Sequence, residues 1–346
     1  MTLNFKTHFS RAVLIAGTIC AALAGALRVS AADEPKKPEG QMPVETRHVP
    51  PVPPYHKEPI DESLQAAARH EIMAAFGSSD RTVRAHALEG AAEVLGDSAK
   101  APILAAFNDK EPMVRFAAGM AAGELRLTAA HDAAFRLKDD PDANLQVAGI
   151  FALHRMGDTR FSHQFEKLAQ YPVRGVRCNV ALALGRLGEP SAVKVLRLLL
   201  NDQEPDVQLQ AAEALWRLNN SEGLEALVAT SLSAFPDDQI IALEALAGPR
   251  NARALAHVRA GLLSDYAETA LAAAKATGEL GSDEGYGLAL LATKSRDPRQ
   301  RSLAALALGA IGRSDAQEAL EPLLHDKEAA DVRLSAAVAI LQLRKN

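Results

Sequence analysis

One segment of this sequence returns every 31 residues. Its first positions are Val83, Val114, Leu145, Val176, Val207, Asp238, Thr269, Gln300 and Val332; seven of the eight steps are 31 residues and the last is 32. A unit this short cannot bury a core alone, so a chain with this period must stack its units, each covering the apolar face of the next. The seventh position after each start is the most restricted: Gly90, Ala121, Ala152, Ala183, Ala214, Ala245, Ala276, Ala307 and Ala339. Bulk is kept out of that register, as close approach of neighbouring helices requires.

Position eleven is aliphatic in eight units, at Val94, Leu125, Met156, Leu187, Leu218, Leu280, Ile311 and Leu343. Glycine follows at Gly157, Gly188, Gly281 and Gly312, with Gly96 displaced by one. A glycine there stops a helix in the left-handed conformation, which predicts one helix of about 15 residues per unit. A second apolar segment lies between these helices, at residues 191–200, 221–233, 251–263 and 315–324, with leucines at three- and four-residue spacing. The expected fold is therefore all-α: a right-handed α-solenoid of about nine two-helix repeats over residues 61–346. Low aromatic content (4%) beside 48% apolar residues suits the long, thin core of such a stack.

The pattern around the second helix is specific. Glu111-Pro112, Asp140-Pro141, Glu204-Pro205 and Asp297-Pro298 precede it; Val-Arg or Val-Gln, then Ala-Ala, then Leu-Gly follow. This resembles the HEAT-like repeats of the phycobilisome (PBS) lyase family, across residues 61–346. The resemblance implies stacked helix pairs, and as one function an accessory, lyase-like role that positions a chromophore or cofactor on a client protein. Repeats four, six and seven depart from the pattern at Tyr171-Pro172, Asp238 and Thr277. The repeat class is also similar to deoxyhypusine hydroxylase, an iron enzyme whose ligands are several His-Glu pairs. Only His70-Glu71 matches such a pair here; His86, His131, His154 and His257 are not followed by glutamate, so no metal site and no cofactor are expected.

The N-terminus reads differently. Lys6 and Arg11 precede an apolar run over residues 12–27, and Val29-Ser30-Ala31 offers small residues for cleavage. Residues 1–31 are expected to be a signal peptide, placing the protein in the periplasm or outside the cell with no stable membrane span. Arg28 leaves an uncleaved anchor as the other reading, and Ile19 before Cys20 argues against a lipid anchor. Cleavage removes three basic residues (Lys6, Arg11, Arg28), taking the charge from −5 to −8. With no basic excess there is no general footprint for nucleic acid. Residues 32–60 are expected to be a proline-rich disordered linker: eight of the 18 prolines lie between 33 and 59. It is either a spacer or a ligand for another domain.

Nucleophile elbows, phosphate loops and His-Glu-x-x-His runs are missing, so no catalytic residue is assigned and the protein is not expected to be an enzyme. Cys178 sits at a register held elsewhere by Phe116, Val147, Leu209, Ile240, Leu271 and Leu334, which marks a core position ahead of a reactive one. Arg84, Arg115, Arg177, Arg301 and Arg333 recur one residue in, with Asp80, Asp109, Asp297 and Asp331 nearby, and predict an Asp–Arg ladder along the stack. Position ten, on the inner face, runs Glu93, Glu124, Arg155, Arg186, Arg217, Gly248, Glu279, Ala310, Gln342. Position nine adds His154 and Trp216 where most units have Gly or Ala. Arg155, Arg186, Arg217, Trp216 and His154 are the candidate partner-binding residues: an anion-preferring patch with an aromatic anchor, suited to an acidic segment of another protein. The alternative is solvated charge, with Trp216 filling a groove. The leading expectation is a non-catalytic protein–protein scaffold. Leu341 and Leu343 near the terminus leave end-to-end association open.

Overall fold

The computed structural model describes residues 49–343, which hold eighteen α-helices in nine antiparallel pairs. The first helices of the pairs are α1 (Glu62–Ala75), α3 (Lys100–Ala106), α5 (His131–Leu137), α7 (Gln164–Leu168), α9 (Val193–Leu200), α11 (Ser221–Ser231), α13 (Leu255–Gly261), α15 (Tyr286–Ala292) and α17 (Gln317–Leu324). The second helices are α2 (Arg81–Val94), α4 (Pro112–Glu124), α6 (Ala143–Arg155), α8 (Arg174–Leu187), α10 (Pro205–Arg217), α12 (Pro236–Ala247), α14 (Ala267–Glu279), α16 (Pro298–Ile311) and α18 (Ala330–Gln342). The solenoid of helix pairs is thus as the period predicts. The signal peptide expected at residues 1–31 and the first part of the expected linker, residues 32–48, lie outside the described residues.

Local chemistry sets the helix ends. Asp80, Asp142 and Asp297 cap α2, α6 and α16 by accepting from the amides of Thr82, Asn144 and Arg299. Proline opens α4, α10, α12 and α16, where its missing N–H costs nothing. Every turn leaving a second helix for the next repeat contains one left-handed residue: Gly96, Arg126, Gly157, Gly188, Asn219, Arg250, Gly281 and Gly312. The stop signal therefore persists in three repeats without its glycine. Asn219 tolerates that conformation, whereas Arg126 (φ 48°) and Arg250 (φ 54°) are strained in it.

The restricted seventh position is explained by contact between successive second helices. A Cβ added to Gly185 of α8 would lie 2.8 Å from both the Cα and the Cβ of Ala214 in α10. These two helices touch through backbone, and a leucine on either side would force them apart. The Asp–Arg ladder is also present. Arg84, Arg177 and Arg301 each donate two nitrogens to the aspartate of the following turn, Asp109, Asp202 and Asp326, at 2.7–3.0 Å. The same guanidiniums donate to two carbonyls at the end of their own first helix, such as those of Tyr171 and Pro172. Gln146, Gln208 and Gln239 keep only the carbonyl contact. Asp80 and Asp297 act as caps instead of rungs, and Arg115 donates to carbonyls of its own turn.

The stack closes on itself. Helix α18 packs against α1 and α2, so the last repeat covers the first. Gly90, the one glycine at position seven, is at this seam: a Cβ there would come 2.7 Å from Val338 Cγ2. Arg333, at the ladder register of the last repeat, donates to Glu71 of α1 at 2.7 Å. Gln342 donates to Glu93 at 2.8 Å. Nine repeats complete one circuit, a turn of about 40° each. Leu341 and Leu343, which left end-to-end association open, do not form an exposed apolar end: Leu343 is buried and Leu341 partly buried.

Residues 49–60 correct a second expectation. They are not a disordered linker but an extended strap across α15–α17. Val49, Val52 and Ile60 pack against the core. Arg313 donates to the carbonyls of Pro53 and Pro54, both at 3.0 Å, and lies between the rings of Tyr55 and Tyr286. A proline-rich segment, already restricted in the unfolded chain, loses little further freedom when laid down in this way.

Candidate functional site

Closing the ring turns position ten of eight of the nine repeats toward a common lumen, all but Arg155. Two adjoining cavities of about 460 and 540 Å3 occupy it, sharing Glu93, Arg186, Arg217 and Arg250 as lining residues. Volumes of this order suit a small polar molecule more than a folded segment of another protein. Met120 and Leu182 form an apolar wall of the first cavity; Glu213, Glu244, Lys275 and Glu279 make the second strongly charged.

The arginine stripe is not an open anion patch. Arg186 donates to Glu124 at 3.0 Å across two repeats, and Arg155 approaches the same carboxylate at 3.7 Å. Arg217 binds Glu213 one turn back through two nitrogens, at 2.8 and 3.0 Å. Burial works against the Arg217 charge, but Glu213, with Glu279 and Glu124 further off, holds the guanidinium above its ordinary pKa. Gly248 leaves the space it crosses: a Cβ there would lie 2.6 Å from Arg217 Nη2. Lys275 is held protonated against its burial by Glu244 and Glu279, at 3.3 and 3.2 Å. Sequence spacing placed the arginines on one face but could not show that glutamates from other repeats converge on them.

Trp216 is not an anchor for a partner. It is fully buried and donates its indole N–H to the Leu246 carbonyl at 2.9 Å. It is a wedge between α10 and α12, which make the sparsest contact of any neighbouring second helices. His154 is also engaged, its two ring nitrogens 2.6 Å from Ser162 Oγ and 2.8 Å from Glu189 Oε1. Of the five candidate residues, the structure brings Arg186 and Arg217 together in the lumen with Arg155 beside them, and sets Trp216 and His154 into the fold.

Two lumen residues escaped the sequence reading. Glu89 lines the first cavity, and its Oε1 has no hydrogen-bond partner among the described residues. Desolvation pushes its carboxyl up to about 7, opposed by His86 and Arg186. Arg250 lines both cavities from its strained turn, exposed and in no ion pair among the described residues. Glu89 stands at position six, the register of Met120 and Leu182 on the same helix face as position ten, so its spacing alone could have pointed to the lumen; Arg250 follows its helix in a turn, outside the helical period. Cys178 is buried, with desolvation pushing its thiol up to about 12, the environment of an inert core cysteine. Glu71, from the one His-Glu pair, is committed to Arg333 at the seam. Among the described residues no group of three or more His, Cys, Asp or Glu side chains is arranged to hold a metal, and no helix is long and apolar enough to cross a membrane.

The outer edge of the ring carries a different feature. Leu232 and Phe235, between α11 and α12, are 78% and 56% exposed, and Leu263, at the same register as Leu232 in the next repeat, is 57% exposed. The 31-residue step sets Leu232 and Leu263 at one register on repeats six and seven, whose neighbouring helices lie about 8–10 Å apart.

A family model of HEAT repeats matches residues 132–216 and 262–341. Among solved structures, the complex of CpcE and CpcF of phycocyanin lyase from Nostoc sp. PCC7120 is similar at 21% identity, over 68% of this chain and 97% of that one, with a TM-score of 0.44. Human deoxyhypusine hydroxylase is similar at 19% identity, over 81% and 97%, with a TM-score of 0.36. An engineered protein is similar at 17% identity, over 82% and 95%, with a TM-score of 0.31. At these values the likeness carries no argument about activity. No curated protein matches the chain.

Proposed function

We propose that this chain, an α-solenoid matching HEAT repeats over residues 132–216 and 262–341, is an exported, non-catalytic scaffold that binds another protein on the outer edge of its ring. The observation that carries this reading is the exposed apolar edge of Leu232, Phe235 and Leu263. Large apolar side chains at this exposure, in register on adjacent rigid repeats, suit a hydrophobic partner surface that needs little ordering of the scaffold. Arg186 and Arg217 support it from the other side: bonded to Glu124 and Glu213, they form no open anion patch for an acidic segment. Export rests on the basic, apolar and small-residue order of the first 31 residues.

The test is affinity capture from the extracytoplasmic fraction of the host, with the wild-type chain and a Leu232→Glu/Leu263→Glu variant of unchanged helical circular dichroism. A protein retained by the first and lost by the second supports the edge as the binding surface. Equal retention by both removes the edge from the proposal.

A second reading, a cofactor- or ligand-handling accessory protein, is favoured by one observation: the exposed Arg250, held in a strained turn over a ligand-sized lumen. Native mass spectrometry of the purified chain distinguishes it, through a retained small molecule that Arg250→Gly releases.

A further inference from the structure

The strap lies on a surface that is built without it. Arg313 is fixed by Asp315, through two nitrogens at 2.6 and 3.1 Å, and approaches Asp283 at 3.5 Å. Its guanidinium stacks 3.9 Å from the ring of Tyr286, whose hydroxyl donates to Asp315 at 2.8 Å. All four residues belong to the helical repeats, so the walls are set by contacts among themselves. The strap adds to them mainly through its backbone. Carbonyls of Pro53 and Pro54 accept from Arg313, the amides of His56 and Glu58 donate to Asp315 and Ser314, and the Pro59 carbonyl accepts from Gln317. Pro50 and Pro51 lie over Gly287, where a Cβ would come within 2.9 Å of the Pro51 carbonyl oxygen. Tyr55 covers the other face of the Arg313 guanidinium, and its hydroxyl is 3.2 Å from Ser314 Oγ. Half of the strap residues, six of the twelve from 49 to 60, remain solvent-exposed.

A preformed aromatic–arginine crevice that reads an extended backbone is the geometry of a polyproline-binding site. We propose that the crevice of Tyr286, Gly287, Arg313, Ser314, Asp315 and Gln317 is a binding site for an extended proline-rich peptide with an aromatic residue after a Pro-Pro pair. The chain's own residues 50–59 occupy it in cis. The site is independent of the leucine edge, so loss of either leaves the other to be judged separately. The tether masks the site, since it presents the strap at an effective concentration of about millimolar. A partner segment therefore competes only when it binds more tightly or when the strap is displaced.

The probe is a fluorescent synthetic peptide with the sequence of residues 48–60, titrated by anisotropy against three purified chains: wild type, Val52→Asp/Tyr55→Ala, and that double variant with Arg313→Lys added. Circular dichroism confirms the helical content of each. Saturable binding is expected for the double variant, with affinity at least about tenfold weaker for wild type because the strap competes. Adding Arg313→Lys weakens binding by about tenfold or more, since a lysine keeps the charge but cannot span two carbonyls and stack between two rings. A peptide with its prolines replaced by alanine binds the double variant more weakly, having lost its preformed extension. If Val52→Asp disturbs the helices, Tyr55→Ala alone takes its place. A folded, strap-weakened variant that fails to bind the peptide overturns the proposal, as does equal binding by wild type or by the Arg313→Lys chain.

Discussion

Trp216 occupies a register that Gly123, Gly185, Gly278 and Gly309 hold in other repeats, and it is the largest fully buried side chain of the described residues. Removing it leaves a cavity and an unpaired Leu246 carbonyl. Trp216→Ala is expected to lower stability by about 3–5 kcal/mol in denaturant unfolding. A loss under about 1 kcal/mol would mean that the wedge is dispensable. Glu89 makes a pH-dependent prediction with an unusual sign. Its folded-state pKa is raised from 4.5 to about 7, so between those values the folded chain holds a proton that the unfolded chain releases. The stabilising contribution is full below the unfolded value and is lost as pH rises through 7. Glu89→Gln is therefore expected to be more stable than wild type at pH 8, by up to about 3 kcal/mol, with the difference fading toward pH 4. Paired urea unfolding at the two pH values checks it; a constant difference would place the titration elsewhere.

At the scale of elements, the repeats are joined by ion pairs of unequal worth. Arg177 and Asp202 are nearly buried, at 8% and 11% side-chain exposure, and Arg177 also satisfies two carbonyls. Arg197 and Glu222 join neighbouring repeats too, but at 53% and 44% exposure. Breaking the first by Arg177→Ala strands a buried carboxylate and is expected to cost about 3–5 kcal/mol. Arg197→Ala is expected to cost less than about 1 kcal/mol. Thermal unfolding of the two variants side by side tests the ranking, and equal losses would contradict it. The carbonyl-only glutamines at positions 146, 208 and 239 show that repeats tolerate the loss of a rung when the helix-end carbonyls remain bonded.

For the whole molecule the seam is decisive, because a ring without free ends has no repeat left to stack on another copy. Arg333→Glu sets a like charge against Glu71 and is expected to loosen α18 from α1 and α2. Small-angle scattering should show a larger radius of gyration and calorimetry a lower unfolding temperature. An unchanged profile would mean that apolar contacts such as Val338 against Gly90 hold the seam unaided. Wild type should give a monomer mass in light scattering that does not change with concentration, as expected when the last repeat is covered by the first.

The sequence by itself determined everything that repeats. The 31-residue step, the small seventh position, the aliphatic eleventh and the glycine stops specify helix pairs and their stacking, because each depends only on a residue and its counterparts one unit away. The ladder was legible as a pattern for the same reason, although of its observed aspartates only Asp109, and not Asp202 or Asp326, stood out in sequence. Closure was not: it is the sum of nine small rotations, and no local pattern encodes the total. Only the tertiary structure brought Glu71 to Arg333, set Glu124 against Arg186 across two repeats, and gave Tyr55 a place beside Arg313. The strap escaped notice because proline-rich composition signals extension without saying what lies beneath it. The arginine stripe was misjudged because a charge is read in sequence without the opposite charge that folding carries to it from another repeat.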